Sequence, residues 1–255
     1  MPEKKAGDLK AFYMVLGATA VIAAGALGWS TLGGGLSSAA MEPIASIVFG
    51  EMEDLEALVA MATGVERGDP DAPITILEFG DFQCPACRQF FSLVKPQLDL
   101  AYVDEDVARF VFHDYPVVSA HRYAFFAARG ARCALDQGEQ YFWPFHDQLF
   151  SQQPIWGAVP PNELSPAAVG NAFESYAGAL GLDVEDFAAC LDSDRHADVI
   201  SANLRLGIEL GVSRTPTIFV SKGGGSAIQV TRWNEFEAYQ SVIDRMMEED
   251  AGDGI

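Results

Sequence analysis

The feature that most constrains this chain is a run in which a strand pattern passes into a helix pattern across a pair of cysteines. Ile74-Thr75-Ile76-Leu77-Glu78-Phe79 has the β-branched and aromatic composition of a buried strand. Gly80-Asp81-Phe82-Gln83 leads from it to Cys84-Pro85-Ala86-Cys87. From Arg88 to Leu100, Phe90, Phe91, Val94 and Leu98 recur at helical spacing, and Pro96 predicts a kink. At such a junction Cys84 sits at the N-terminus of a helix, where unpaired N–H groups and the macrodipole favour a thiolate. Cys87, one turn later, is near enough to close a disulfide and is shielded from solvent. Pro85 suits the first helical position, where its missing N–H has no partner to lose.

The expected chemistry is thiol–disulfide exchange, with an exposed Cys84 forming a mixed disulfide and Cys87 resolving it. Acidic surroundings are expected to raise the Cys84 pKa somewhat. The competing readings are a zinc ligand pair and a plain structural bridge. Zinc needs about four ligands; no second C-x-x-C or H-x-x-x-H accompanies the pair, and His113, His121, His146 and His196 stand singly, so no metal is expected.

Downstream, residues 107–112 (VARFVF) read as a second buried strand. From about Ser119 to Leu210 the pattern is mostly helical, with a Pro-rich break at 154–161. Ile218-Phe219-Val220 and Ile228-Gln229-Val230 read as strands around Gly223-Gly224-Gly225. A last amphipathic helix carries Phe236, Tyr239, Ile243, Met246 and Met247. The fold class is therefore α/β, a sheet interrupted by an all-helical insertion over about 116–211.

Ahead of this domain, residues 11–29 form 19 consecutive uncharged, mostly apolar positions. As a helix they reach roughly 28 Å, close to one bilayer core. Lys4, Lys5 and Lys10 precede the run, and the chain is acidic from Glu42 onward, which places the N-terminus in the cytoplasm. A cleaved signal peptide is the competing reading, since Ser37-Ser38-Ala39-Ala40 offers small residues. Either way the folded part is expected outside. The expected organisation is a cytoplasmic tip and single transmembrane anchor (1–30), a linker and juxtamembrane helix (31–63) and the main domain (64–255). Apolar residues from Ile44 to Val59 carry the helical spacing over 42–62, and the turn cluster from Gly68 to Pro73 ends it. The formal net charge is −20, a surface that repels phosphate backbones, so nucleic acid is not an expected partner.

Several of these stretches together carry a resemblance. Gly68-Asp69-Pro70-Asp71-Ala72-Pro73, Glu78-Phe79, the run from Asp81 to Cys87, Phe142-Trp143 with His146, and Gly211-Val212 leading to Thr215-Pro216-Thr217 resemble the DsbA family of disulfide oxidoreductases, in its membrane-anchored branch. The resemblance implies a thioredoxin fold in which Pro216 is a cis-proline facing the cysteine pair and Thr215 offers backbone groups to an extended substrate. It implies that Glu78, six residues before Cys84, is a buried acid that passes protons to and from Cys87; the bland alternative is a carboxylate at a strand end on the surface. It further implies reduced exported proteins as substrates, a quinone-linked membrane reoxidant of the DsbB or vitamin-K-epoxide-reductase type, and a catalytic domain on the periplasmic side of the cell membrane. No cofactor is expected. Ala86 offers no side-chain hydrogen bond to a thiolate, so the expected enzyme is a dithiol oxidase of moderate potential. Reductase or isomerase is the runner-up, and a non-catalytic binding domain on the same fold is the alternative from another class.

Cys133 and Cys190 both fall in the helical insertion. An even count of four cysteines in an exported chain favours a second, structural disulfide between them. Two buried free thiols are the other reading.

Overall fold

The computed structural model describes residues 55–252. The apolar run over 11–29 and most of the expected helix over 42–62 lie outside them. Among the described residues no helix is long and apolar enough to cross a membrane.

In order along the chain the elements are α1 (Leu55–Met61), β1 (Val65–Arg67), β2 (Ile74–Gly80), α2 (Pro85–Leu93), α3 (Lys95–Leu98) running into a π-helical turn (Asp99–Val103), and β3 (Ala108–Asp114). There follow α4 (Ala124–Asp136), α5 (Glu139–Trp156), α6 (Pro166–Ala179), α7 (Val184–Leu191) and α8 (Ala197–Glu209). The chain then returns to the sheet as β4 (Thr217–Lys222) and β5 (Ile228–Gln229) before α9 (Phe236–Gly252). The sheet order is β1-β3-β2-β4-β5. β2 is central, parallel to β3 and antiparallel to β4, with Ile76 opposite Phe110 on one side and Val220 on the other.

Alternation along β2 assigns its residues to two faces. Phe79 packs with Leu58 and Ala62 of α1 and Ala202 and Leu206 of α8 in one cluster, with Leu77 against it. On the opposite face Phe90 of α2 lies beside Phe110 of β3 and Tyr239 of α9, all three fully buried. With helices on both faces, a central strand has no wet side, and that is why β2 carries an almost unbroken apolar run. Burying each such phenylalanine contributes about 2–3 kcal/mol.

Three local expectations are corrected, and a fourth, the interruption near Pro96, is met. A three-residue strand, β1, stands between α1 and the Gly68–Pro73 turn, paired antiparallel with β3; Val65-Glu66-Arg67 is too short to show a period and is a strand only because β3 offers an edge. The helix after the cysteines breaks at Val94 (φ −108°, ψ −47°), just before Pro96, because Pro96 has no N–H to bond back into the preceding turn. The Pro-rich break begins later than expected: Pro154 lies inside α5, whose last turn closes through Gly157 N–H to Gln153 O at 2.9 Å. The second hairpin strand shrinks to Ile228–Gln229.

Cys133 on α4 and Cys190 on α7 are bonded, with Cα atoms 5.8 Å apart in space and the residues 57 positions apart in sequence. Closing a loop of that length contributes about 4 kcal/mol on the chain-entropy account. The bridge ties the insertion internally and leaves the cysteine pair at the sheet free.

Candidate active site

Gly80 ends β2 because nothing larger fits: a Cβ there would fall 2.3 Å from the Phe112 ring and 3.0 Å from Glu78 Oε1. The next four residues form a connection clamped by the helical insertion. Gln153 of α5 donates to the carbonyls of Phe82 at 2.7 Å and Cys84 at 3.0 Å. Gln83 donates to Gly157 O at 3.2 Å and accepts from Tyr123 N–H at 2.6 Å. Asp81 is buried, its Oδ1 accepting from Gln83 N–H at 2.8 Å and its Oδ2 from Val117 N–H at 2.8 Å.

Cys84 is the N-cap of α2 with extended backbone (φ −72°, ψ 122°), and Pro85 is the first helical residue. Cys84 and Cys87 are both thiols. Cys84 is only 7% exposed, less than its sequence position led us to expect. What covers it is the segment before β4: its sulfur lies 3.5 Å from the Thr215 carbonyl oxygen, and the Thr215–Pro216 peptide is cis. The Cys84 pKa is lowered to about 6, first by a hydrogen bond from the Cys87 side chain, then by one from the Thr215 side chain and by the Cys87 amide. Burial and the negative charge of Asp81 oppose this without prevailing. The expected acidic rise is thus real in sign but outweighed, because hydrogen bonds act on the sulfur directly while the charge acts from farther off.

Cys87 is fully buried and receives the Asp81 N–H at 3.4 Å. Burial drives its pKa well above the usual thiol range, with Cys84, Glu78 and Asp81 adding to the effect. One sulfur is therefore prepared to be an anion and the other to hold its proton. Glu78 is not a surface carboxylate: it is 1% exposed, and its Oε1 has no hydrogen-bond partner. Burial raises its pKa to about 8, against a lowering by Lys95.

Sequence reasoning did not single out Lys95 or Asp81, and passed His121 over as a lone histidine. Lys95 is buried, paired with Asp99 at 2.7 Å, and lies over the rings of Phe110 and Trp143 at 4.8 and 5.0 Å. His121 Nδ1 is 2.7 Å from Asp81 Oδ2. Position in sequence betrays none of this, since 40 residues separate that pair. Cys133, Cys190 and His196 bring ligand-type atoms within 4.8 Å of one another, but the two sulfurs are bonded to each other and have no thiolate to offer a metal.

The family profile described as Thioredoxin matches residues 61–245. The chain belongs to the thioredoxin family. Within that family it is DsbA-like, the helical block α4–α8 standing between β3 and β4 of the thioredoxin sheet. The crystal structure of Wolbachia pipientis alpha-DsbA1 superposes with a TM-score of 0.63 at 21% identity, covering 74% of this chain and 94% of that one. "Disulfide bond formation protein D" of Bacillus subtilis is 27% identical over 161 residues, covering 60% of this chain and 66% of that protein. "Na(+)/H(+) antiporter NhaA 3" of Salinispora tropica is 35% identical over 155 residues, which is 61% of this chain but 21% of the antiporter. This thioredoxin-family chain thus spans about a fifth of that protein and just under two thirds of the Bacillus one.

Proposed function

We propose that this protein is a thiol–disulfide oxidoreductase that oxidises dithiols of exported proteins, held by its N-terminal apolar segment on the extracytoplasmic side of the membrane. The observation that carries this reading is the contrast between the two sulfurs: Cys84 at a helix N-terminus against the Thr215 carbonyl, its pKa lowered, and Cys87 sealed behind it, its pKa raised. In the oxidised enzyme a substrate thiolate attacks Cys84 Sγ and the Cys84–Cys87 bond breaks. The departing Cys87 sulfur takes a proton, which Glu78 can supply because its carboxyl stays protonated up to about pH 8. The second substrate thiol, as thiolate, then attacks the substrate sulfur of the mixed disulfide, and Cys84 leaves as a thiolate. Two electrons pass from substrate to enzyme, and a low Cys84 pKa makes that sulfur a good leaving group.

Thr215, beside the pair, is proposed to hold substrate backbone, with Pro216 shaping the approach. Reoxidation by a quinone-linked membrane protein of the DsbB or vitamin-K-epoxide-reductase type would complete the cycle. The extracytoplasmic location is supported by the apolar run over 11–29 and by the Cys133–Cys190 bridge, since such bridges persist in oxidising compartments.

The test is to titrate the full chain with dithiothreitol and alkylate. A pair that exchanges readily and oxidises a reduced, unfolded client supports the proposal; a bridge inert to all but harsh reductant makes the domain a binding module. Recovery of the chain from washed membranes, with the Cys84 domain open to protease from outside, tests the location.

A further inference from the structure

Asp81 is joined to three parts of the site at once. Its amide donates to Cys87 Sγ at 3.4 Å, and its carbonyl accepts the Cys84 N–H at 3.0 Å. Its carboxylate, with a fully buried side chain, meets His121 Nδ1 at 2.7 Å. His121 comes from the connection between β3 and α4, a different part of the chain from the cysteines, and its side chain is 18% exposed. A carboxylate removed from water beside a sulfur that must become an anion works against that anion, and Asp81 does so here. The imidazole stands where a proton would cancel that charge.

We propose that His121, held by Asp81, is a positioning residue of the thiol pair whose protonated form sustains the Cys84 thiolate and so strengthens the protein as an oxidant. The inference rests on the oxidoreductase reading and adds a control to it. Ala86 leaves the dipeptide between the cysteines without any group to stabilise the thiolate, and His121 supplies the positive charge from outside the motif. The charges that bear on His121 are Asp81 and Cys84, both from the connection between β2 and α2; the neighbouring Arg122 is turned to Glu163 at 3.4 Å. The Asp81 hydrogen bond raises the His121 pKa, burial opposes, and the charges of Asp81 and Cys84 raise it further. Interaction between His121 and the thiolate must be mutual. A thiolate therefore favours the imidazolium, and a disulfide, carrying no charge, does not.

That reciprocity provides a test on the unaltered protein. In the full chain in detergent, carrying isotope-labelled histidine, the His121 resonance is titrated in the dithiol and the disulfide forms and assigned from its loss in H121Q. The expected pKa is higher in the dithiol form by about half a unit or more; equal values in the two forms would overturn the proposal. In H121Q the Cys84 thiolate should titrate at higher pH, and the equilibrium with glutathione should shift at least about threefold toward the disulfide form, equivalent to that half unit. The difference from wild type should be largest between the Cys84 pKa of about 6 and the raised His121 pKa, and fade below that window, where the thiol is neutral, and above it, where the imidazole is neutral. An H121Q thiolate titration that overlays the wild type would also sink the idea. Should H121Q fail to fold, the two wild-type titrations decide the matter, with the resonance assigned instead from its shift in D81N, which removes the charge His121 faces at 2.7 Å. A wild-type pair that does not exchange with glutathione at all removes the oxidoreductase reading itself, a result distinct from either failure.

Discussion

Cys84 Sγ and the carbonyl oxygen of Thr215 are 131 positions apart in sequence and 3.5 Å apart in space. The contact joins the start of α2 to the segment entering β4, and the antiparallel pairing of β2 with β4, Phe79 opposite Thr217, is what brings those two ends together. Cys84 lies at that junction and Cys87 is sealed behind it.

The first consequence is kinetic. Alkylation of the reduced protein by iodoacetamide should follow a single group titrating near pH 6, with the slow second thiol untouched below pH 9. In C84S the fast phase should vanish, and in C87A it should move to higher pH, because the hydrogen bond from Cys87 is lost, while mixed disulfides with clients accumulate. Alkylation that rises only near the ordinary thiol range would refute the assignment.

Glu78 makes stability depend on pH. Its folded pKa, about 8, lies above the ordinary 4.5. The folded state therefore holds a proton that the unfolded state has released, and its contribution is fully present below about pH 4.5 and lost as pH rises to about 8. The loss is on the order of 5 kcal/mol at most. In E78Q this part of the pH dependence should disappear, making the variant more stable than the wild type at pH 8 by urea unfolding, while the release of Cys87 slows about tenfold or more at neutral pH.

Lys95 counters Glu78 and neutralises Asp99. In K95M, Asp99, 14% exposed, loses its partner at 2.7 Å and keeps Arg67 at 3.4 Å. The expected cost is about 2 kcal/mol, that of a charge-assisted hydrogen bond, and the Glu78 pKa should move up because the cation that lowers it is gone. A unchanged midpoint in urea, or a Glu78 titration that stays put, would contradict this.

Removing the second bridge should separate stability from chemistry. The pair C133A/C190A is expected to lose about 4 kcal/mol and to retain exchange at Cys84, since the bridge lies between α4 and α7 and touches neither active sulfur. A large change in exchange rate would mean the insertion transmits strain to the site.

Legibility along the chain varied for physical reasons. The strand over 74–79, the helix after Cys84 and the final helix were readable because period and composition are local properties of a few consecutive residues. Cys84 and Cys87 were readable because four positions of sequence place both sulfurs on one helical turn. Burial of Glu78 and the approach of Thr215-Pro216 were reached through the resemblance to known enzymes. Lys95, Asp81 and His121 were not readable as site residues at all: a lysine in an amphipathic helix ordinarily faces water, and this one is turned inward over Phe110 and Trp143 by packing that other elements create.

By itself, then, the sequence determined which groups can do chemistry and where the helix and strand periods run, because side-chain identity and spacing are covalent facts. Only the tertiary structure decided how those groups behave. Whether Glu78 keeps its proton, whether Cys84 surrenders its own, and which side chain faces Asp81 all depend on the loss of water and the approach of residues 40 to 131 positions away, and no short stretch of chain encodes such neighbours on its own.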